Sequence, residues 1–345
     1  MNITIIGAGN SGLAMAAHLG YEGHRVTLWN RSRSTVEKLL KTHTVYLEGV
    51  IEGEVKLDLV TTDMKEALRD PDLILITTPA NSHKQVAKSI AQNLRKETTI
   101  ILHPGRTFGA LEFKRVFEEY NQLKQTIAET QTIIYTCRKV SEDKVNILSF
   151  KSDVLISTFD ADRNPEIISS LPKCIQKYYK PAKSLVETSI GNVGMILHVA
   201  PLLLNTGWAE NEDTKYRHYY DGITPTIAAF IEKIDEERVL VSEALGHRVE
   251  TTLEWMKRTY QLEGDTLYEC IQNDEAYKFI DAPTSLKHRY IFEDVPCGLV
   301  PVESVGLRMG LNMSYTTLTI DLACKLLNTD FRAILNHQLL RPLGP

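Results

Sequence analysis

Along the first half of the chain, short β-branched and apolar runs alternate with stretches whose apolar positions recur every three to four residues. Residues 3–6, 25–29, 73–78 and 98–103 read as strands, and 11–19, 35–41, 82–94 and 109–119 as the helices between them. Three further β-rich runs follow at 132–136, 144–150 and 153–159. Strands separated by helices predict a mostly parallel sheet wound on both faces. From about Glu187 the period changes. Apolar residues recur at helical spacing, Pro225 opens a long helix to residue 246, and 249–260, 296–310 and 315–328 read as further helices. The chain therefore reads as an α/β domain of Rossmann type, residues 1–184, followed by an all-helical domain, residues 185–345.

Composition narrows the classes. A length of 345 residues suits two domains, and 43% hydrophobic with 24% charged residues is ordinary globular usage. The net charge of -5 gives a polyanion no basic surface to find, so nucleic acid is not an expected partner. Five scattered cysteines, none in a C-x-x-C knuckle, point to free thiols in a reducing compartment and to no metal site. Strand-like residues begin directly after Met1, without a basic leader, and the longest apolar run, residues 193–204, is interrupted by His198. A cytoplasmic protein without a membrane partner is expected.

Candidate chemistry begins with Gly7-Ala8-Gly9-Asn10-Ser11-Gly12, a G-x-G-x-x-G placed directly after a strand and opening a helix. The first glycine serves a tight turn, the second a close approach of pyrophosphate, and the third close packing of helix on strand. The helix start offers unpaired N–H groups to phosphate, so Gly7, Gly9, Asn10, Ser11 and Gly12 are cofactor-binding candidates. An acid that would hold both ribose hydroxyls of NAD(H) is replaced at the end of the second strand by Asn30, followed by Arg31, Ser32 and Arg33. Removing the acid removes repulsion toward a 2′-phosphate, and Arg31 and Ser32 offer donors to it, so NADP(H) is expected over NAD(H). The plainer alternative is that these are solvated turn residues.

Several segments together resemble the opine dehydrogenases, the octopine dehydrogenase group, over nearly the whole length. They are TPANSH at 78–83, HPGRTFGALEF at 103–113, ETQTIIYTCR at 129–138, Asn192 through His198 to Asn205, and HRYIFEDVPCGLVP at 288–301. The resemblance implies a Rossmann domain joined to a helical domain with the active site in the cleft between them. It also implies NAD(P)H-dependent reductive condensation of an amino acid with a 2-oxo acid such as pyruvate, and the reverse oxidation. By motif, the catalytic pair falls on His198 and Asp294, and a carboxylate-binding arginine on Arg289. Thr132, Cys137 and Asn205 fall among substrate-binding positions, and Thr78, Pro79 and Ala80 on the cofactor side. A homodimer is implied as well. One departure is Arg106, where marine-invertebrate members carry glutamine; an arginine there binds a carboxylate at least as well.

The residues also carry readings of their own. If 190–205 is one helix, Gly191, Gly194, His198, Leu202 and Asn205 share a face, which sets the imidazole beside open space; a core histidine is the alternative. Asp294, two residues before Pro296, is either a helix cap or the partner of His198, or both. Arg289 and His288 are alternatively solvated loop charges. His83 and His103 fall at the carboxyl edge of the sheet, where ligands bind in such folds. Cys137 reads as packing rather than nucleophile. Two rivals accompany the reading: a simple reductase of the ketopantoate or glycerol-3-phosphate type, and a non-catalytic NADP(H)-sensing protein.

Overall fold

The computed structural model describes residues 1–334 and divides into two compact units, Met1–Ser189 and Ile190 onward. The first holds twelve strands: β1 (Asn2–Ile6), β2 (Arg25–Trp29), β3 (Thr44–Gly49), β4 (Gly53–Lys56), β5 (Leu59–Thr61), β6 (Leu73–Ile76), β7 (Thr99–Leu102), β8 (Thr126–Thr130), β9 (Tyr135–Ser141), β10 (Lys144–Phe150), β11 (Val154–Thr158) and β12 (Tyr179–Pro181). Eight form one sheet in the order β12-β11-β8-β7-β6-β1-β2-β5, parallel except where β11 meets β8. Its central strands are buried on both faces, as β6 with the sequence LILI shows. One face is covered by the helices His83–Asn93 and Gly109–Tyr120, whose Val86, Ile90, Phe113 and Phe117 join Ile74 and Ile100 in one core.

The other face carries the helix Asn10–Tyr21 and, over it, a four-stranded sheet in the order β4-β3-β10-β9. This second sheet was not expected from the hydrophobic pattern. Its strands bury only alternate residues, such as Val45 and Leu47 on β3 and Val145 and Ile147 on β10, against the helix and Tyr135. The strand expected at 132–136 starts instead at Tyr135. Residues 131–134 carry the chain from β8 in the first sheet to β9 in the second, so they are spent on the crossing.

The second unit is helical. Its axis is Pro225–Ala244, capped by the Thr224 hydroxyl. Arg238, buried in this helix, donates to Asp235 (2.8 Å) and to the carbonyls of Ile190 (2.7 Å) and Glu250 (2.6 Å), and Asp235 accepts from Thr252. Thr251 and Glu254 form a capping box, so the helix expected from 249 begins at Thr252. The helix expected at 296–310 is a π turn, Val295–Leu299, running into Val300–Arg308. Pro296 and Pro301 remove amide donors there, and Leu299 N donates five residues back to Asp294 O (3.0 Å).

Residues 190–205 are also not one helix. Leu185–Ile190 ends, and Asn192 Oδ1 accepts from Gly194 N (3.0 Å) to start Gly194–Leu204. Gly191 therefore lies outside the His198 helix, and Asn205 is its C-cap. The window 185–204 has the length and apolarity of a membrane span, but 72% of it is buried inside the protein, as befits a core segment.

Candidate active site

In the first unit the glycine loop is built as its spacing predicts. Gly7 has φ of 109°, and a Cβ on Gly12 would stand 1.9 Å from the Gly7 carbonyl oxygen, so both positions exclude side chains. A Cβ on Gly9 would meet nothing within 4 Å, which leaves space beside the start of the helix Asn10–Tyr21. Asn30 is locked into the loop, its Oδ1 accepting from Ala8 N (3.1 Å) and its Nδ2 donating to Ser32 O (2.9 Å). Beside it runs a groove of about 420 Å³, lined by Asn30, Arg31, Ser32, Thr78 and Pro79 among others. Arg31 Nη1 donates to Gln85 Oε1 (2.9 Å), so the guanidinium is held at the groove while its arm stays exposed. Ala80 is buried behind this wall. An open position over Gly9, a helix start and a groove carrying Arg31 fit a dinucleotide. Lys139, unforeseen because it belongs to the second sheet, reaches the same loop, donating to Ala8 O (3.2 Å) and Thr35 O (3.4 Å).

At the carboxyl ends of β7 and β8 the structure brings Arg106 and Thr132 onto neighbouring segments, because Gly105 N donates to Thr130 O (3.3 Å). Gly105 is obligatory here, since a Cβ would lie 2.1 Å from Glu129 Oε2. Arg106 is buried and takes a φ of 62°, rare for a side-chain-bearing residue. Cys137 on β9 is partly buried, and burial pushes its thiol up to about 11, so it stays protonated. His103 is sealed between Thr130 and Tyr179, and burial pushes its imidazole down to about 3; His83 is buried against Thr78 O (3.1 Å). Neither has the exposure that proton exchange with a ligand requires.

In the second unit His198 is the focus. Its Nδ1 lies 2.6 Å from Asp294 Oδ2 and its Nε2 3.1 Å from Tyr219 Oη, while its ring stacks on Tyr290 at 3.8 Å between centroids. The His198 side chain is 14% exposed and Asp294 1%. Asp294 makes no side-chain capping bond, so of its two expected roles the structure shows the histidine contact. Burial, with Tyr290 next, pushes the Tyr219 phenol well above its usual range, so it keeps its proton, while the carboxylate of Asp294 at Nδ1 favours a proton on that nitrogen.

Pro201 explains how Tyr219 is delivered. Proline lacks the amide that would bond Leu197 O, and His218 Nε2 fills the gap at 3.0 Å. Burial pushes His218 down to about 3, so it is a neutral donor whose neighbour is Tyr219. Both amide protons of Asn205 go to the carbonyls of Pro201 and Gly222 (2.8 Å each), which clamps the same loop to the helix. Asn205 thus acts on the loop rather than offering its amide protons to a ligand. Arg289 is 55% exposed and 3.5 Å from Glu293 Oε2. Tyr219 and Tyr290 escaped notice in the sequence because an isolated tyrosine carries no signal; the Pro201–His218 pairing appears only in space.

A glycine loop on a doubly wound sheet, with a helical unit carrying a carboxylate-held histidine, defines the class of dinucleotide-dependent oxidoreductases that join a Rossmann domain to helices. Residues 181–327 match the family model described as NAD/NADP octopine/nopaline dehydrogenase, alpha-helical domain, and residues 2–105 match the NAD-dependent glycerol-3-phosphate dehydrogenase N-terminus. The chain is 32% identical to the opine dehydrogenase of Arthrobacter sp. (strain 1C) over 329 residues, covering 95% of this chain and 91% of that one. Octopine dehydrogenase solved with NADH and L-arginine superposes with a TM-score of 0.77 at 18% identity, over 95% of this chain and 90% of the other. Yersinopine dehydrogenase with NADP+ gives 0.77 at 15% identity, over 100% and 93%. The chain belongs to the opine dehydrogenase family, and it is an NAD(P)-dependent oxidoreductase.

Proposed function

We propose that the chain joins the amino group of an amino acid to a 2-oxo acid and reduces the product: amine plus oxo acid plus NADPH plus a proton gives an N-(carboxyalkyl) amino acid, NADP+ and water, and the reverse runs as oxidation. The observation that carries this is the 2.6 Å contact of Asp294 with His198, which presents Nε2 and the Tyr219 phenol as a proton-handling pair. Bound NADPH supplies the hydride that reduces the imine carbon. His198 polarises the oxo-acid carbonyl and moves protons as the amine adds and water leaves; Asp294 fixes its tautomer. Arg289 and Arg106 orient carboxylates, with Thr132 and Cys137 beside Arg106. Gly7, Gly9, Gly12, Asn10 and Ser11 take the pyrophosphate, Thr78, Pro79 and Ala80 the far side of the cofactor, and Asn30, Arg31 and Ser32 the 2′-phosphate of NADP(H). A homodimer in the cytoplasm belongs to the same reading.

The test is an NADPH-consumption screen of amino acids crossed with pyruvate, glyoxylate and 2-oxoglutarate, repeated with His198→Ala. Turnover that requires both substrates and falls about 10²- to 10⁴-fold in kcat in the variant is expected. Turnover of an oxo acid alone would favour a simple reductase, and a kcat within a few-fold of wild type across pH 6 to 9 would remove His198 from the mechanism.

A further inference from the structure

The hairpin of β9 and β10 in the four-stranded sheet reaches beyond the helix it covers and touches both segments proposed to receive the cofactor's phosphates. Lys139, on β9, makes three of these contacts. Its amide donates to Asn10 Oδ1 (3.0 Å), at the start of the helix Asn10–Tyr21. Its ammonium donates to Ala8 O (3.2 Å), inside the glycine loop, and to Thr35 O (3.4 Å), in the segment after β2. Thr35 lines the same groove as Asn30, Arg31 and Ser32. Ala8 is thereby held on both sides, its N–H by Asn30 Oδ1 and its carbonyl by Lys139.

The turn of the hairpin is fixed to the same segment after β2. Glu142 Oε1 accepts from Lys38 N and from Leu39 N (3.2 Å) in the first turn of the helix Glu37–Thr42, and the buried carboxylate of Asp143 pairs with Lys38 Nζ (2.6 Å). Among the described residues no carboxylate lies within ion-pair distance of Lys139, which is half-buried. Burial pushes its ammonium below the usual range, and the more distant charges of Glu142 and Asp143 oppose this only in part. A brace between two carbonyls needs donors alone, and a neutral amide would supply them without desolvating a charge. A loop pair that is already at its final separation loses less freedom when a ligand spans it, and a cation there gains when that ligand is an anion.

We propose that Lys139 is a positioning residue for the cofactor: from the second sheet it fixes the separation of the glycine loop and the segment after β2 before a dinucleotide spans them. This rests on the proposed function in giving the first segment the pyrophosphate and the second the 2′-phosphate.

The test is calorimetric titration of the enzyme with NADP+ and with NAD+, comparing wild type, Lys139→Met, Lys139→Arg and Arg31→Ala. Lys139→Met is expected to bind both nucleotides about five-fold or more weakly, because the brace serves the part they share, whereas Arg31→Ala weakens chiefly NADP+. Lys139→Arg keeps the charge and the donors and is expected to bind within about three-fold of wild type, which separates loss of the brace from loss of fold. In turnover, the Lys139→Met defect is expected in the KM for NADPH rather than in kcat. If Lys139→Met binds both nucleotides within about two-fold of wild type while Arg31→Ala weakens NADP+, the positioning role is overturned and the proposed cofactor site stands. Affinity lost equally in Lys139→Met and Lys139→Arg, or a defect confined to kcat, would overturn it as well. If neither Lys139→Met nor Arg31→Ala changes either affinity, the proposed placement of the cofactor falls with it.

Discussion

An imidazole that moves protons must be held in one tautomer, and His198 is held from three sides. Asp294 faces Nδ1, the Tyr219 hydroxyl lies against Nε2, and Tyr290 covers a face of the ring. The two hydrogen bonds differ in weight. Asp294→Asn replaces the acceptor with a group that can present a donor, which misplaces the ring proton; kcat is expected to fall about 10²- to 10⁴-fold, on the scale of lost general acid–base catalysis. Tyr219→Phe deletes a neutral hydrogen bond worth about 1 kcal/mol, so a loss of about five-fold in kcat with little change in the KM for either substrate is expected. Steady-state kinetics of the two variants ranks them. A Tyr219→Phe loss equal to that of Asp294→Asn would mean that the phenol itself transfers a proton in the rate-limiting step.

At the scale of elements, buried polar groups decide how the segments dock. Arg238 ties the long helix Pro225–Ala244 to the carbonyls of Ile190 and Glu250 and to Asp235. Removing one partner of such a buried group strands the other, so Arg238→Met is expected to cost about 3 to 5 kcal/mol in urea unfolding; a loss under 1 kcal/mol would show that the methionine packs as well as the network it replaces. Glu129 plays the same part in the first unit, accepting from Ala110 N (2.9 Å), Thr188 (2.9 Å) and Ser189, and so tying the segment Leu185–Ile190 to β8. Burial outweighs those bonds and pushes its carboxyl up to about 7. Because the folded pKa lies above the unfolded one, the native state keeps a proton that the unfolded chain loses between about pH 4.5 and 7. Its contribution is thus full below that window and lost as pH rises through it, by about 3 kcal/mol at 1.36 kcal/mol per unit. Glu129→Gln is expected to flatten that part of the stability–pH curve.

Legibility in the sequence follows the same division. β6 and β10 announced themselves by apolar content, and His198 and Asp294 by the motifs around them. The break at Gly191–Val193 did not show, because a side-chain turn at Asn192 competes with helix without altering the apolar period.

Across the whole molecule, the division into two compact units gives cofactor selectivity a thermodynamic signature that does not require turnover. The groove lined by Asn30, Arg31 and Ser32 belongs wholly to the first unit, so a dinucleotide bound there stabilises that unit directly. A ligand at one hundred times its Kd adds about 2.7 kcal/mol to the state that binds it. If Arg31 pairs with a 2′-phosphate, NADP+ and NAD+ at equal concentration must differ in the shift they produce, with NADP+ the larger. Charge-assisted bonds of this kind are worth about 1.5 to 3 kcal/mol, so the affinity gap is expected to be about ten-fold or more. Differential scanning calorimetry with each nucleotide, on wild type and Arg31→Ala, measures it, and the ratio of kcat/KM for NADPH over NADH provides a kinetic counterpart. Arg31→Ala is expected to draw the two nucleotides together in both measurements, chiefly by weakening NADP+. An unchanged ratio in the variant would return Arg31 to the solvated turn and leave Lys139, whose ammonium already reaches Ala8 and Thr35 from the second sheet, as the cation nearest the glycine loop to be tested in its place.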